Sequence, residues 1–205
     1  MMGKFNRKVH WENIYSTKKI NEVSWYQIEP KTSISFINLA GLEKDAAIID
    51  IGGGDSFFVD YLVKEGYTNI TILDISEMAI KRAKLRLGDS ASKVSWIVSD
   101  VNNFSPKHKY DFWHDRATFH FLTDSLEVNQ YKETVENAMN KNGHFVIGTF
   151  SKTGPLKCSG IDITQYSKQE IIELFHTFKI ISDLNVKHLT PFETTQDFVF
   201  CYFVK

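Results

Sequence analysis

From residue 46 onward the chain repeats one pattern: a short apolar run of strand length, then a longer mixed segment with apolar residues at helical spacing. The runs are Ala46–Ile51, Asn69–Asp74, Val94–Val98, Tyr110–Trp113 and His144–Phe150, each rich in β-branched or aromatic residues. Parallel strands need crossover segments of this length, usually helices, so the alternation predicts an α/β fold with a mostly parallel sheet and helices on both faces. Phe57, Phe58, Tyr61 and Leu62 mark the first crossover helix. Met78, Ile80, Ala83, Leu85 and Leu87 mark the second, opened by Ser76 as N-cap and Glu77 at the positive helix end.

Later segments extend the pattern. Leu126–Met139 is amphipathic, and Asn142-Gly143 reads as its C-cap turn before the fifth strand. Ser167 with Glu170 forms a capping box that opens a helix through Phe178. Two final strands, Ile180–Lys187 and Asp197–Val204, are separated by a Thr190-Pro191 turn too short for a crossover helix, so they pair as an antiparallel hairpin. Ahead of the sheet, residues 1–41 read as a helical cover or lid, with helices around His10–Tyr15 and Ser33–Ala40.

Composition narrows the classes of function. The 205 residues carry 24 basic and 25 acidic side chains, with no basic run to attract a phosphate backbone, so nucleic acid is not an expected partner. No stretch of about 18 apolar residues exists to span a membrane, and the segment after Met1–Arg7 lacks the apolar region of a signal peptide. Cys158 and Cys201 form no metal-binding or redox pattern, so no metal is expected, and free thiols suit a cytoplasmic protein. Without repeats or Gly/Ser-rich linkers, residues 1–205 read as one domain.

The first strand runs into Asp50-Ile51-Gly52-Gly53-Gly54-Asp55-Ser56 and then a helix. Glycines at such a turn permit positive φ and close backbone approach to a ligand, although a tight turn without a ligand looks the same. A dinucleotide fingerprint wants its third glycine at position 57, where this chain has Phe57. That ring and the charge of Asp55 disfavour a diphosphate, and Phe57 with the missing third glycine opposes a nucleotide-dependent oxidoreductase. Asp74 ends the second strand twenty positions after Gly54, where an acid can accept from both ribose hydroxyls. Asp100 ends the third, able to accept from an exocyclic amine while the Val101 amide reads a ring nitrogen. Each acid alone could be a cap. With the glycine turn they favour a nucleoside ligand that lacks phosphates.

The series IIDIGGGDS, ITILDIS, VSDVNNF, YDFWHDRATFHFL and HFVIGTF resembles the successive motifs of class I methyltransferases that use S-adenosylmethionine. The resemblance covers about residues 44–204, departing slightly where Ser56 stands in place of a further glycine. It implies a Rossmann-like core of seven strands in the order 3-2-1-4-5-7-6. It also implies a cofactor site of Asp50 at the methionine amino group, Gly52, Gly53 and Gly54 at the turn, Asp74 with Ile75 at the ribose, Asp100 with Val101 at the adenine, and His114. Trp11-Glu12 and Ser24-Trp25-Tyr26 are similar to the start of several small methyltransferases, some acting on protein lysines, which implies that Trp25 closes over the methionine end.

The acceptor belongs at the carboxyl edge of the sheet, after strands four, five and six. There the polar stretch His114–His120 supplies His114, Asp115 and His120 as candidates to deprotonate an acceptor. A structural ion pair of Asp115 with Arg116 and a packed His120 are the plainer readings, and Arg116 could instead hold an anionic substrate group. Ser151–Gly160 looks like a mobile gate. Cys158 is not expected as a nucleophile, since methyl transfer needs no covalent intermediate. His188, Thr190 and Thr194 could line the acceptor pocket or form an ordinary polar turn. The expected activity is methyl transfer to a small molecule, with a protein lysine as the alternative acceptor and a non-catalytic binder of S-adenosylmethionine or S-adenosylhomocysteine as the alternative of another class.

Overall fold

The computed structural model describes residues 5–205. Its main sheet holds seven strands: β1 (Ile48–Ile51), β2 (Ile70–Asp74), β3 (Val94–Val98), β4 (Tyr110–Arg116), β5 (Met139–Phe150), β6 (Lys179–Leu189) and β7 (Thr195–Val204). They are arranged 3-2-1-4-5-7-6, as expected. The first five are parallel, and β7 lies antiparallel between β5 and β6. The helices are α1 (Arg7–Thr17), α2 (Lys31–Ala40), α3 (Phe58–Lys64), α4 (Glu77–Leu87), α5 (Ser125–Ala138) and α6 (Lys168–Leu174).

Period-two alternation splits the core into two layers. Trp113, Phe145, Ile147, Val199, Cys201 and Phe203 pack toward Tyr131 and Val135 of α5 and Ile171 of α6. Phe112, Val146, Phe198, Phe200 and Tyr202 face the other way, toward Phe36 and Ile37 of α2 and Phe58 and Leu62 of α3. Burying side chains of this size on both faces is the main source of stability, at roughly 25 cal/mol per Å² of apolar surface.

The expected C-cap at Asn142-Gly143 is corrected. Helix α5 ends at Ala138, and Met139 is already extended, its N–H bonded to Val135 O. Asn142, at φ +63°, sits inside β5, whose register with β4 slips between Tyr110 and Phe112. The positive-φ residue that resembled a helix stop thus belongs to a strand irregularity. Helix α6 is also shorter than expected: Phe175 caps it, and Phe175 and Phe178 pack into the core beyond its end. Among the described residues no helix is long and apolar enough to cross a membrane.

Candidate cofactor and acceptor site

A cavity opens at the carboxyl ends of β1 to β5 and reaches the start of β7. Its floor includes Asp50–Gly53, Asp74, Ile75, Asp100, Val101, His114 and Arg116, and the N-terminal segment lies across it with Trp11, Tyr15, Trp25 and Tyr26.

The glycine turn is dictated by its neighbours. Gly52 has φ +68°, and a Cβ there would lie 1.9 Å from Thr118 Oγ1. A Cβ on Gly53 would lie 2.2 Å from Asp50 Oδ2, and one on Gly54 would lie 2.7 Å from Asp74 Oδ2. Gly53 and Gly54 therefore make room for the acids themselves, and Gly52 for Thr118. Phe57, which replaces the dinucleotide glycine, stacks under the Arg86 guanidinium at 4.3 Å. The charge of Asp55 is offset by Arg82 at 3.3 Å and Arg86 at 3.1 Å, so the repulsion that seemed to oppose a diphosphate is largely compensated within the protein.

Asp50 is buried and its Oδ1 lies 2.7 Å from His114 Nδ1. A carboxylate only accepts, so Nδ1 carries the proton; Nε2 and Ser33 Oγ share a hydrogen bond of 2.9 Å, in which Nε2 of a neutral ring is the acceptor. Asp50 Oδ2 is buried without a partner among the described residues. Asp74 accepts from Gly54 N at 3.0 Å and Ser76 N at 2.8 Å. Burial outweighs these two donors, and with the nearby charges of Asp50 and Asp55 pushes its carboxyl up to about 7. Asp100 accepts from Asn102 N at 3.0 Å and has Arg7 Nη1 3.7 Å away.

The expected catalytic candidates are not brought together. His114 reaches the cavity, but both ring nitrogens are engaged. Asp115 points to the opposite face of β4 and is not part of the cavity wall. Its oxygens accept from Tyr131 Oη at 2.7 Å, Thr118 N at 2.9 Å and Phe119 N at 3.2 Å, and it forms no ion pair with Arg116. Burial raises its carboxyl to about 6. His120 is also outside the wall; its Nδ1 accepts from Phe150 N, and burial, reinforced by Arg116, lowers it to about 3. His188 and the paired Thr190 and Thr194 brace the β6–β7 turn, and the wall there is formed by Gln196 and Phe198. Cys158 does line the cavity, with its thiol pushed up to about 11 by burial. The segment Ser151–Gly160 is pinned by Lys152 on Glu170 and by a small ribbon pairing Lys157–Cys158 with Ile161–Asp162.

A family profile described as a methyltransferase domain matches residues 42–189. The chain belongs to the class I methyltransferase family. Malonyl-[acyl-carrier protein] O-methyltransferase 1 of Ilyobacter polytropus is 31% identical over 111 residues, which cover 54% of this chain and 40% of that protein, so the match spans less than half of its length. EEF1A lysine methyltransferase 2 of Danio rerio is 24% identical over 198 residues, covering 89% of this chain and 79% of that protein. The fold is also that of the N-methyltransferase NodS from Bradyrhizobium japonicum WM9, solved with S-adenosylhomocysteine: TM-score 0.72 at 14% identity, covering 98% of this chain and 99% of that one. S-adenosylmethionine is the cofactor of this family.

Several contacts around this cavity escaped the sequence, including those of Glu12, which entered there only through the Trp11-Glu12 resemblance. Glu12 of α1 accepts from Ser76 Oγ at 2.9 Å, Glu77 N at 2.7 Å and Met78 N at 3.1 Å, covering the start of α4 beside Asp74. Arg82 donates to the Tyr15 and Lys18 carbonyls, and Arg7 pairs with Glu127. Ser33 meets His114 across 81 positions of sequence. Such long-range partners leave no local signal. The parity of β4, by contrast, was available: His114 and Arg116 share a face with Phe112, and Asp115 shares one with Trp113.

Proposed function

We propose that this protein is an S-adenosylmethionine-dependent methyltransferase whose acceptor is a small molecule. The observation that carries the cofactor reading is the unpartnered, buried Oδ2 of Asp50 at the cavity wall, an anionic acceptor suited to the methionine ammonium. His114, fixed by Ser33, orients Asp50 and leaves that oxygen free. Asp74 has acceptor capacity beyond its two backbone donors for the ribose hydroxyls, and Asp100 with the Val101 amide frames the adenine. The bound cofactor supplies a methyl group on a positively charged sulfonium. The protein supplies alignment and exclusion of water, through Trp25, Tyr26, Phe57, Phe150 and Phe198 around the methionine end.

Among the described residues the histidine of the cavity wall, His114, has both ring nitrogens engaged, and Asp115 and His120 lie outside that wall, which supports a role for this chain in positioning rather than in deprotonation by Asp115 or His120. The N-terminal segment acts as a lid, held by hydrogen bonds from Arg116 to Trp25 O, from His188 to Ser24 O and from Gln196 to Ser24 Oγ. Such a roof over an aromatic cavity suits a small acceptor better than an extended chain. A protein lysine is the second reading, favoured by the alignment with the EEF1A lysine methyltransferase over 89% of this chain.

Labelled S-adenosylmethionine incubated with the purified protein and a cell extract, separated by size, tests both readings. Label in the low-mass fraction, lost in Asp74→Ala, is expected. Label confined to protein would favour the second reading, and none in either fraction would remove the enzymatic one.

A further inference from the structure

Three of the four arginines pair with carboxylates: Arg7 with Glu127, and Arg82 and Arg86 with Asp55. Arg116 does not. Among the described residues its one hydrogen bond runs from Nη2 to Trp25 O at 2.8 Å, although it lines the cavity and is largely shielded from water. A guanidinium has five N–H donors and loses much by desolvation unless an anion compensates it. Burial lowers the Arg116 side chain to about 10, and the nearby charge of Asp50 only partly restores it. Arg116 follows His114 by two positions on β4, and Asp50 is the register partner of His114 on β1, so Asp50 and Arg116 present opposite charges on one face at the end of the sheet.

Resting on the methyltransferase reading, we propose that Arg116 is the carboxylate-binding group of this cavity. A planar fork matches a carboxylate in two-point contact. A single guanidinium facing Asp50 suits a monoanion better than a phosphate dianion. Two molecules could bring that carboxylate. One is the cofactor, whose ammonium would lie on Asp50 Oδ2 and whose carboxylate would lie on Arg116. The other is an acid acceptor seated among Phe150, Cys158 and Phe198, the side of the cavity away from Asp74 and Asp100.

Calorimetric titration of wild-type protein and R116Q separates the sources. The ligands are S-adenosylhomocysteine, 5′-methylthioadenosine, which lacks the amino acid moiety, and, on protein loaded with S-adenosylhomocysteine, benzoate against benzamide. If the cofactor supplies the carboxylate, R116Q weakens S-adenosylhomocysteine by about tenfold or more and leaves 5′-methylthioadenosine within twofold. If the acceptor supplies it, R116Q leaves both nucleosides unchanged and abolishes a wild-type preference for benzoate over benzamide. An R116Q protein indistinguishable from wild type toward all four ligands overturns the proposal. Should R116Q lose 5′-methylthioadenosine as well, the same series on R116K decides, because it keeps the cation without the fork and is expected to show the same selective loss. Wild-type protein that binds neither nucleoside would instead remove the methyltransferase reading, and this proposal with it.

Discussion

Asp115 and His114 are adjacent in sequence and do opposite things. His114 faces the cavity and orients Asp50, whereas Asp115 holds three donors in the layer beneath α5. Replacing Asp115 by Ala should strand the Tyr131 hydroxyl and two amides and cost about 3 kcal/mol of stability. Cofactor affinity of the folded fraction should change less than threefold. Thermal melting together with cofactor titration checks this, and unchanged melting with lost transfer would restore Asp115 as a catalytic group. Asp74 offers a test by pH. Its carboxyl is raised to about 7 by burial, and donation from ribose hydroxyls would favour the charged form, so binding should release a proton. Affinity for S-adenosylhomocysteine should therefore climb between pH 6 and 8, by up to about tenfold per unit below pH 7, and this slope should vanish in Asp74→Asn. Asp50, Asp74 and Asp100 were legible because glycine turns and strand ends are local signals. The direction of Asp115 is set by strand parity and the burial of His120 by the tight turn Phe119–Phe121 beyond β4, neither of which titratable character reveals, and Ser33 was invisible because its partner is remote in sequence.

The glycine turn, α1 and α4 form a connected unit. Ser76 caps α4 through Ala79 N, as its sequence implied, while Glu12 covers the amides of Glu77 and Met78 from another helix. Burial opposes ionisation of Glu12, but these donors and Ser76 outweigh it and hold its carboxyl below the usual range. Glu12→Ala should cost α4 about 1 kcal/mol and release α1 from its seat. The expected signature is faster proteolysis within residues 7–30 and quicker release of S-adenosylhomocysteine, with little change in melting. An unchanged release rate would mean that α1 is a fixed cover rather than a lid. Helix and strand identities were legible here from spacing and caps. The end of α5 was not, because an Asn-Gly pair with positive φ serves a helix stop and a strand irregularity equally well.

Across the molecule, strand order and the final antiparallel hairpin followed from the alternation of runs, the short Thr190-Pro191 turn and the family resemblance, and the sheet bears them out. What the sequence could not convey is how the N-terminal segment crosses the sheet edge to meet Ser76, Arg116, His188 and Gln196, since those contacts join residues more than sixty positions apart. Together they define a cavity with acids along one side and a lone guanidinium among aromatic rings on the other. The most direct test is calorimetric titration of the purified protein, freed of bound nucleoside, with S-adenosylmethionine, S-adenosylhomocysteine and NADH. Micromolar binding of the first two, weakened at least tenfold by Asp74→Ala, with none of the third, is the expected result. Binding of NADH alone, or of no nucleoside by folded protein, would contradict the assignment of this cavity to S-adenosylmethionine.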